Sequence, residues 1–176
     1  MDSCCFIDMA KDAVGVLVPS RKQDVWFIWK LLQAHKDREI DALTSVLTIA
    51  ESTHADGNSD TKVRDLLTRL LMSGQYVQLI QPTPFIAADA RDLRWLHGMS
   101  MRGADSLHVA SALFLKADEF LTTDAKITSY TAVLRGMNLL VVEPAKTACL
   151  PDSYRQGEML NEKVTVLRPK SITGST

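Results

Sequence analysis

Apolar residues recur along the chain with two spacings, one typical of amphipathic helices and one typical of buried strands. The clearest helical stretch follows Pro19 and repeats apolar residues one and two turns apart: Val25, Ile28, Trp29 and Leu32. Further helices are predicted over residues 4–14, 61–71, 86–96, 105–117 and 126–134, with another beginning at residue 49. Short β-rich runs predict strands over residues 42–48, 76–81, 119–123 and 139–143.

Helices and strands therefore alternate along the chain, which predicts the α/β class with a parallel sheet and helices on both of its faces. In such a sheet the carboxyl ends of the strands form one edge, and ligands bind at that edge. Any polar residue that follows a predicted strand is thus a candidate for the functional site.

Three acidic residues are predicted to reach this edge. Glu51 and Asp124 each follow a predicted strand, and Asp105 opens a buried helix. Each acid alone also suits a helix start, where a carboxylate caps free N–H groups or favours the helix dipole. Three carboxylates at one edge repel each other unless a cation holds them, so the pattern points to a hard divalent cation. His108, one turn after Asp105, is expected to pack or hydrogen-bond there and not to act as a base.

Composition narrows the class of protein. The chain has 176 residues, 46% of them apolar, and a mean hydropathy of −0.01, so we expect one globular domain with no membrane span. The formal net charge of −1 predicts no broad basic surface, so a nucleic acid would have to be bound by local cations. Residues 1–144 carry the patterned elements, whereas the more polar residues 145–176 are expected to form a C-terminal appendage.

The cysteines and the first residues indicate a compartment. Cys4, Cys5 and Cys149 match neither a disulfide framework nor a zinc-binding spacing. The N-terminus lacks the basic start of a secretory signal. A cytoplasmic, reducing setting is therefore expected.

Four short motifs, taken in order, resemble those of the PIN-domain ribonucleases, and among them the VapC-like toxins of toxin–antitoxin pairs. They are Asp-Ser-Cys-Cys-Phe-Ile-Asp at 2–8, Thr-Ser-Val-Leu-Thr-Ile-Ala-Glu at 44–51, Ala-Asp-Ser-Leu-His-Val-Ala-Ser-Ala-Leu at 104–113 and Leu-Thr-Thr-Asp at 121–124. The resemblance implies a three-layer α/β/α sandwich with a central, mostly parallel sheet. It also implies a Mg²⁺- or Mn²⁺-dependent endoribonuclease that cleaves single-stranded RNA or tRNA and is paired with an antitoxin protein.

The same resemblance assigns the site residue by residue. The catalytic, metal-binding carboxylates would be Asp2, Glu51, Asp105 and Asp124, and the supporting hydroxyls would be those of Ser3 and Thr122. Members of the family have a complete strand before the first acid, whereas only Met1 precedes Asp2 here. Three explanations are open: the true start lies upstream, the chain is trimmed, or the first acid is Asp8 on a strand over residues 3–7. Asp8 is therefore the alternative first acid.

Two other functions compete with this interpretation. A catalytically degenerate PIN-like module would bind RNA or a partner protein without cleaving it, and metal-dependent RNA cleavage that is lost in Asp105→Asn separates the two. A phosphatase of the haloacid-dehalogenase type needs a second Asp two residues after its nucleophile. Neither Asp2 nor Asp8 has one, so this alternative ranks last.

Two further groups of residues are candidates for contacts with partner molecules. Trp26 and Trp29 belong to an apolar stripe that is wider than one sheet face needs, so we expect a homodimer that uses some of these residues. Arg91, Arg94 and Arg102 are candidate cations along an RNA path, although such arginines more often lie on a solvated helix face.

Overall fold

The computed structural model describes residues 1–52 and 61–156. The run Asp-Gly-Asn-Ser-Asp at residues 56–60 predicts a loop, and it lies outside the described residues. The chain is a mixed helix–strand protein with parallel strands, compatible with the predicted α/β class. The strands are β1 (Leu43–Ser45), β2 (Gln78–Ile80), β3 (Glu119–Leu121) and β4 (Leu140–Val142). The helices are α1 (Ser3–Ala13), α2 (Lys22–Lys36), α3 (Leu47–Glu51), α4 (Thr61–Met72), α5 (Pro84–Trp95), α6 (Gly103–Phe114), α7 (Ala125–Thr128), α8 (Thr131–Gly136) and α9 (Asp152–Arg155), with 3-10 turns at Pro19–Arg21 and Pro144–Lys146. In the part of the chain that the structure describes, no helix is both long enough and apolar enough to cross a membrane.

The strands pair in parallel, but among the described residues they form two two-stranded sheets and not one continuous sheet. β1 pairs with β2, which aligns Thr44 with Leu79. β3 pairs with β4, which aligns Phe120 with Val141. Two short strands alone are marginally stable in water. Each pair therefore depends on the helices packed against it and on what lies between the two sheets.

The N-terminal dipeptide lies between the two sheets and is hydrogen-bonded to both. The Met1 ammonium donates to the Leu43 carbonyl of β1 at 2.7 Å, and the Asp2 amide donates to the Leu121 carbonyl of β3 at 3.0 Å. The buried Thr44 hydroxyl donates to the Met1 carbonyl at 2.8 Å. Successive N–H groups that bond to neighbours on opposite sides are the pattern of an internal strand. Met1 and Asp2 therefore bridge the two sheets with main-chain hydrogen bonds, in the pattern that residues of an internal strand show.

A cavity of about 520 Å³ extends from Met1 between β1 and β3. Its walls are the two strands, the residues that precede each of them, and the part of α6 that carries His108 and Ser111. Burial lowers the pKa of the Met1 ammonium, since a charged group that is removed from water loses its hydration.

The core consists of two clusters of buried side chains. One cluster joins α1, α2 and α4 and includes Phe6 and Phe27. The other joins α5, α6 and α8 and includes Met99. Leu121 of β3 belongs to the first cluster and its neighbour Phe120 to the second. Successive side chains of a strand point to opposite faces, so β3 is covered by helices on both faces.

The secondary structure differs from the sequence-based expectation in two places, at the end of β1 and at the end of α6. The strand expected over residues 42–48 stops at Ser45, whose hydroxyl accepts the Leu47 amide at 3.3 Å where α3 begins. Glu51 therefore ends a helix, and the prediction that it opens one was wrong. The helix predicted over residues 105–117 ends at Phe114, whose side chain is 53% exposed.

Residues 145–156, the described part of the expected appendage, pack against the elements before them. Leu150 is buried in the first core cluster. The Arg155 guanidinium donates to the Thr147 carbonyl at 2.7 Å, and the Tyr154 hydroxyl donates to Asp37 at 2.8 Å. The domain boundary after residue 144 stays a prediction.

A short strand added ahead of Met1 is expected to stabilise the protein. Four residues of alternating Val and Ile would reach about 13 Å into the cavity and bury apolar side chains there. The added peptide bond would also replace the buried ammonium by a neutral N–H. We expect the free energy of unfolding to rise by about 2 kcal/mol and Tm by about 4–8 °C, as measured by urea and thermal unfolding.

A Gly-Ser extension of the same length is the matched control. It also moves the ammonium from Met1 to the new first residue, but it has little apolar surface to bury in the cavity. A larger gain from the Val/Ile extension is the expected result. Equal gains from the two extensions would mean that relief of the buried charge accounts for the effect, and no gain from either would contradict a strand-shaped cavity.

Candidate active site

Asp2 is the most deeply buried of the candidate acids, with 3% of its surface exposed. It caps the N-terminus of α1, where its Oδ1 accepts the Ser3 amide at 2.8 Å and lies 3.5 Å from the Ser3 hydroxyl. Its Oδ2 accepts the Thr122 hydroxyl at 2.7 Å and the Cys4 thiol at 3.2 Å. Both carboxylate oxygens are held by donors, and this fixes the orientation of the side chain.

Thr122 connects Asp2 to Asp124. Its fully buried hydroxyl donates to Asp2 and accepts the Asp124 amide at 3.0 Å. The Asp124 carboxylate then accepts the Lys126 amide at 2.7 Å and caps α7. Asp124 therefore fills the helix-cap role that the sequence left open, and one hydroxyl group ties its backbone to the Asp2 side chain.

Asp105 lies in the first turn of α6, where its Oδ2 accepts the Arg102 amide at 3.3 Å. The pKa of Asp105 is raised, first because the carboxyl group is partly buried and further because Asp2 and Asp124 carry like charges nearby. The hydrogen bond and charge of Arg102 act in the opposite direction on this pKa. Repulsion of this kind acts between close charges. We call Asp2, Asp105 and Asp124 the acid cluster.

Glu51, the fourth predicted acid, is bound to a histidine of α6. Its Oε2 is 2.7 Å from Nε2 of His108, which follows Asp105 by one turn on α6. His108 is buried, whereas the Glu51 side chain is partly exposed. His108 thus makes the hydrogen bond that the sequence predicted, and its partner is the candidate acid on α3.

Asp8, the alternative first acid, belongs to α1. Residues 3–7 are helical because Asp2 caps a helix, so the strand on which that alternative depends is not formed. The Thr123 hydroxyl lies 3.5 Å from Asp8 Oδ2. Burial raises the pKa of Asp8, and the charge of Arg21 lowers it. Arg21 also donates to the Thr123 carbonyl at 3.0 Å, so Asp8 lies near the end of β3 without belonging to the acid cluster.

The donor atoms of the acid cluster suit a hard divalent cation, because carboxylate oxygens are the preferred ligands of Mg²⁺ and Mn²⁺. Within residues 1–52 and 61–156, however, no three His, Cys, Asp or Glu side chains are grouped closely enough to hold a metal ion. The carboxylates of Asp105 and Asp124 bond to the first turns of α6 and α7. These two side chains would have to turn away from the helix termini to bind a cation together with Asp2.

Two features of the structure were not anticipated from the sequence. The Cys4 sulfur lies 3.4 Å from the Thr122 hydroxyl and donates to Asp2, so this thiol belongs to the network that orients the first acid. Trp95, at the end of α5, is 71% exposed, and the Arg91 guanidinium lies 4.8 Å from its ring centroid. The adjacency of Cys4 to Asp2 was an available signal, whereas one aromatic residue at a helix end gives none.

The chain matches no protein-family model, no curated protein and no solved structure. The acid cluster and the elements that hold it are therefore the features that indicate its function.

Replacing Thr122 by Val removes the hydroxyl that joins Asp2 to Asp124 and keeps the shape of the side chain. We expect the free energy of unfolding to fall by about 2–3 kcal/mol, since a buried carboxylate oxygen loses a donor and the Asp124 amide loses its acceptor. Urea unfolding measures the change. Thr122→Ser keeps the hydroxyl and is the control. If the Val and Ser variants unfold at the same urea concentration, the link through the hydroxyl does not stabilise the site.

Proposed function

We propose that this chain is a PIN-like, Mg²⁺- or Mn²⁺-dependent endoribonuclease that cleaves single-stranded RNA or tRNA, as the toxin of a toxin–antitoxin pair. One observation carries the proposal: the buried Thr122 hydroxyl donates to the Asp2 carboxylate at 2.7 Å and accepts the Asp124 amide at 3.0 Å, and both acids lie near enough to Asp105 to raise its pKa. Close carboxylates repel and cost stability. A carboxyl group whose pKa is raised by burial and by neighbouring charges is typical of functional sites.

The proposal includes a three-layer α/β/α sandwich with one mostly parallel sheet in the order β2, β1, N-terminal dipeptide, β3, β4. The hydrogen bonds of Met1 and Asp2 to both sheets support this order. The two core clusters on opposite faces of β3 support the layers. In this arrangement Asp2 and the carboxyl ends of β1 and β3 meet at one edge, which is where α/β proteins bind ligands.

In the proposed enzyme the acid cluster holds the divalent cation, and Glu51 is the fourth acidic group beside it. When bound, such a cation lowers the pKa of a coordinated water and neutralises charge that develops on the phosphate. The chain's own residues position these groups. Thr122 holds the Asp2 carboxylate at 2.7 Å, and His108 holds Glu51 at the same distance.

The charge of the chain and the access of a strand to the acid cluster indicate the substrate class. The net charge of the chain is −1, so phosphates must be met by cations near the acid cluster. Arg102 precedes α6, Lys126 lies in the first turn of α7, and the Arg21 guanidinium reaches the Thr123 carbonyl. A single strand of RNA can bring one phosphate to such a site while its bases turn outward.

For a toxin of this kind we also expect an antitoxin protein as partner, a cytoplasmic setting and a homodimer. Trp26 and Trp29, which were expected to contact a second copy, are each partly buried against the first core cluster. They therefore leave only part of their surface for another chain. The expected dimer stays a prediction.

The second candidate function is a non-catalytic module that uses the same fold to bind RNA or a partner protein. It is favoured by one observation, that the described residues contain no group of three side chains placed to hold a metal ion. This module would bind RNA equally well with and without divalent cations, and it would leave the RNA intact.

Asp105→Asn is expected to abolish Mn²⁺-dependent cleavage of an unpaired oligoribonucleotide, because it removes one negative ligand from the acid cluster. We expect a loss of at least about a hundredfold in the single-turnover rate. Asp89→Asn changes an exposed acid on α5 and is the matched control, which should cleave like the parent.

Two results would contradict the metal-dependent nuclease. One is cleavage by Asp105→Asn at the parental rate, and the other is cleavage by the parent protein in excess EDTA. Binding of the oligonucleotide by the parent without any cleavage in Mn²⁺ would favour the non-catalytic module.

A further inference from the structure

The segment that leads from the end of α5 to the acid cluster is positively charged. Residues 91–102 contain three arginines and one acid, although the whole chain has a net charge of −1. The last of these arginines, Arg102, is the N-cap residue of α6, and its amide bonds to Asp105 at 3.3 Å. Arg91 and Arg94 lie on the last turns of α5 and Arg102 directly precedes α6, so positive charge accompanies this part of the chain up to Asp105.

Trp95 provides an exposed aromatic ring in this segment. It is 71% exposed, whereas Trp26 and Trp29 are partly buried against the first core cluster. Arg91, one turn earlier on α5, places its guanidinium 4.8 Å from the Trp95 ring centroid. An ion pair of 2.8 Å holds Arg91 to Asp92. The ring is thus supported by a fixed guanidinium and leaves most of its surface free.

The loop after Trp95 is held in place by one buried side chain and by hydrogen bonds to two other parts of the chain. Met99 is completely buried, and its amide bonds back to a carbonyl of α5 at 3.1 Å. The Ser100 amide donates to the Tyr130 hydroxyl at 2.9 Å. Tyr130 follows α7, the helix that Asp124 caps. The connection therefore bonds to a residue just after the helix that Asp124 caps, and it ends at the N-cap of the helix that carries Asp105.

We propose that Trp95, supported by Arg91, is a stacking platform for a base of the single-stranded RNA whose phosphates pass Arg94 and Arg102 toward the acid cluster. This inference rests on the proposed function and supplies the substrate-binding part of it. Bases of any identity stack on an exposed aromatic ring, so the platform is tolerant of sequence. Guanidinium groups suit phosphates because their planar donors can form paired hydrogen bonds.

A protein partner is the other occupant that exposed apolar residues on α5 would suit. Phe85 and Leu96 are 75% and 73% exposed. At 3.6 residues per turn, their separation of eleven residues places them at nearly the same angle around the helix axis. Trp95 lies about 100° from Leu96 around that axis. The face of Trp95 and Arg91 is therefore distinct from the apolar face, and its arginines favour a polyanion.

The test measures RNA binding by the full-length Asp105→Asn protein, so that cleavage does not interfere. Fluorescence anisotropy with a labelled, unpaired oligouridine reports the affinity. Adding Trp95→Ala should weaken binding by about 5- to 150-fold, the range expected for one lost base–aromatic stack. Trp95→Phe should keep most of the affinity. Leu96→Ala removes an equally exposed apolar side chain and is the matched control, which should bind like Asp105→Asn alone.

Three results would overturn the proposal. The first is unchanged affinity in Trp95→Ala with parental urea unfolding, and the second is no RNA binding by any of the proteins. The third is weaker binding in Leu96→Ala but not in Trp95→Ala, which would assign this end of α5 to another partner.

The test also separates this inference from the endoribonuclease. A parent that cleaves RNA while Trp95→Ala binds normally overturns the platform alone. A parent that binds RNA through Trp95 and never cleaves it leaves the platform in place and overturns the nuclease.

Discussion

The hydrogen bonds of Met1 and Asp2 to Leu43 and Leu121 are the contacts on which both the fold and the candidate site depend. They join two sheets of three-residue strands, each of which is too small to be stable alone. The same two residues bring the Asp2 carboxylate against Thr122 at 2.7 Å. Whatever separates the dipeptide from β1 or β3 would therefore divide the sheet region and remove the first acid from the site.

This arrangement places several groups where they cost stability. The Met1 ammonium is buried, which lowers its pKa, and Asp105 has a raised pKa because of burial and the charges of Asp2 and Asp124. Hydrogen bonds offset part of this cost in free energy of unfolding. Asp2 accepts several of them, and Asp105 accepts the Arg102 amide. Such local conflict between charge and stability is expected at functional sites and seldom elsewhere in a fold.

The longer helices could be predicted from the sequence because their apolar residues repeat with the period of a helix, as at Val25, Ile28 and Leu32 in α2. Strand lengths could not, because the Ser45 hydroxyl that accepts the Leu47 amide ends β1 early, and short polar side chains give no period. The association of Thr122 with Asp2 spans 120 residues and has no local signal. Asp2 itself was assigned from a resemblance to a family and not from spacing. The exposure of Trp95 depends on how α5 packs, which a single aromatic residue does not reveal.

The central claim is that Asp2, Asp105 and Asp124 form one cation site, and anomalous diffraction from crystals soaked in Mn²⁺ tests it most directly. The account predicts an anomalous peak within coordinating distance of carboxylate oxygens from all three residues, with the side chains of Asp105 and Asp124 turned away from the first turns of α6 and α7. Crystals in saturating Mn²⁺ with no peak among these carboxylates, and with both side chains still capping their helices, would contradict it.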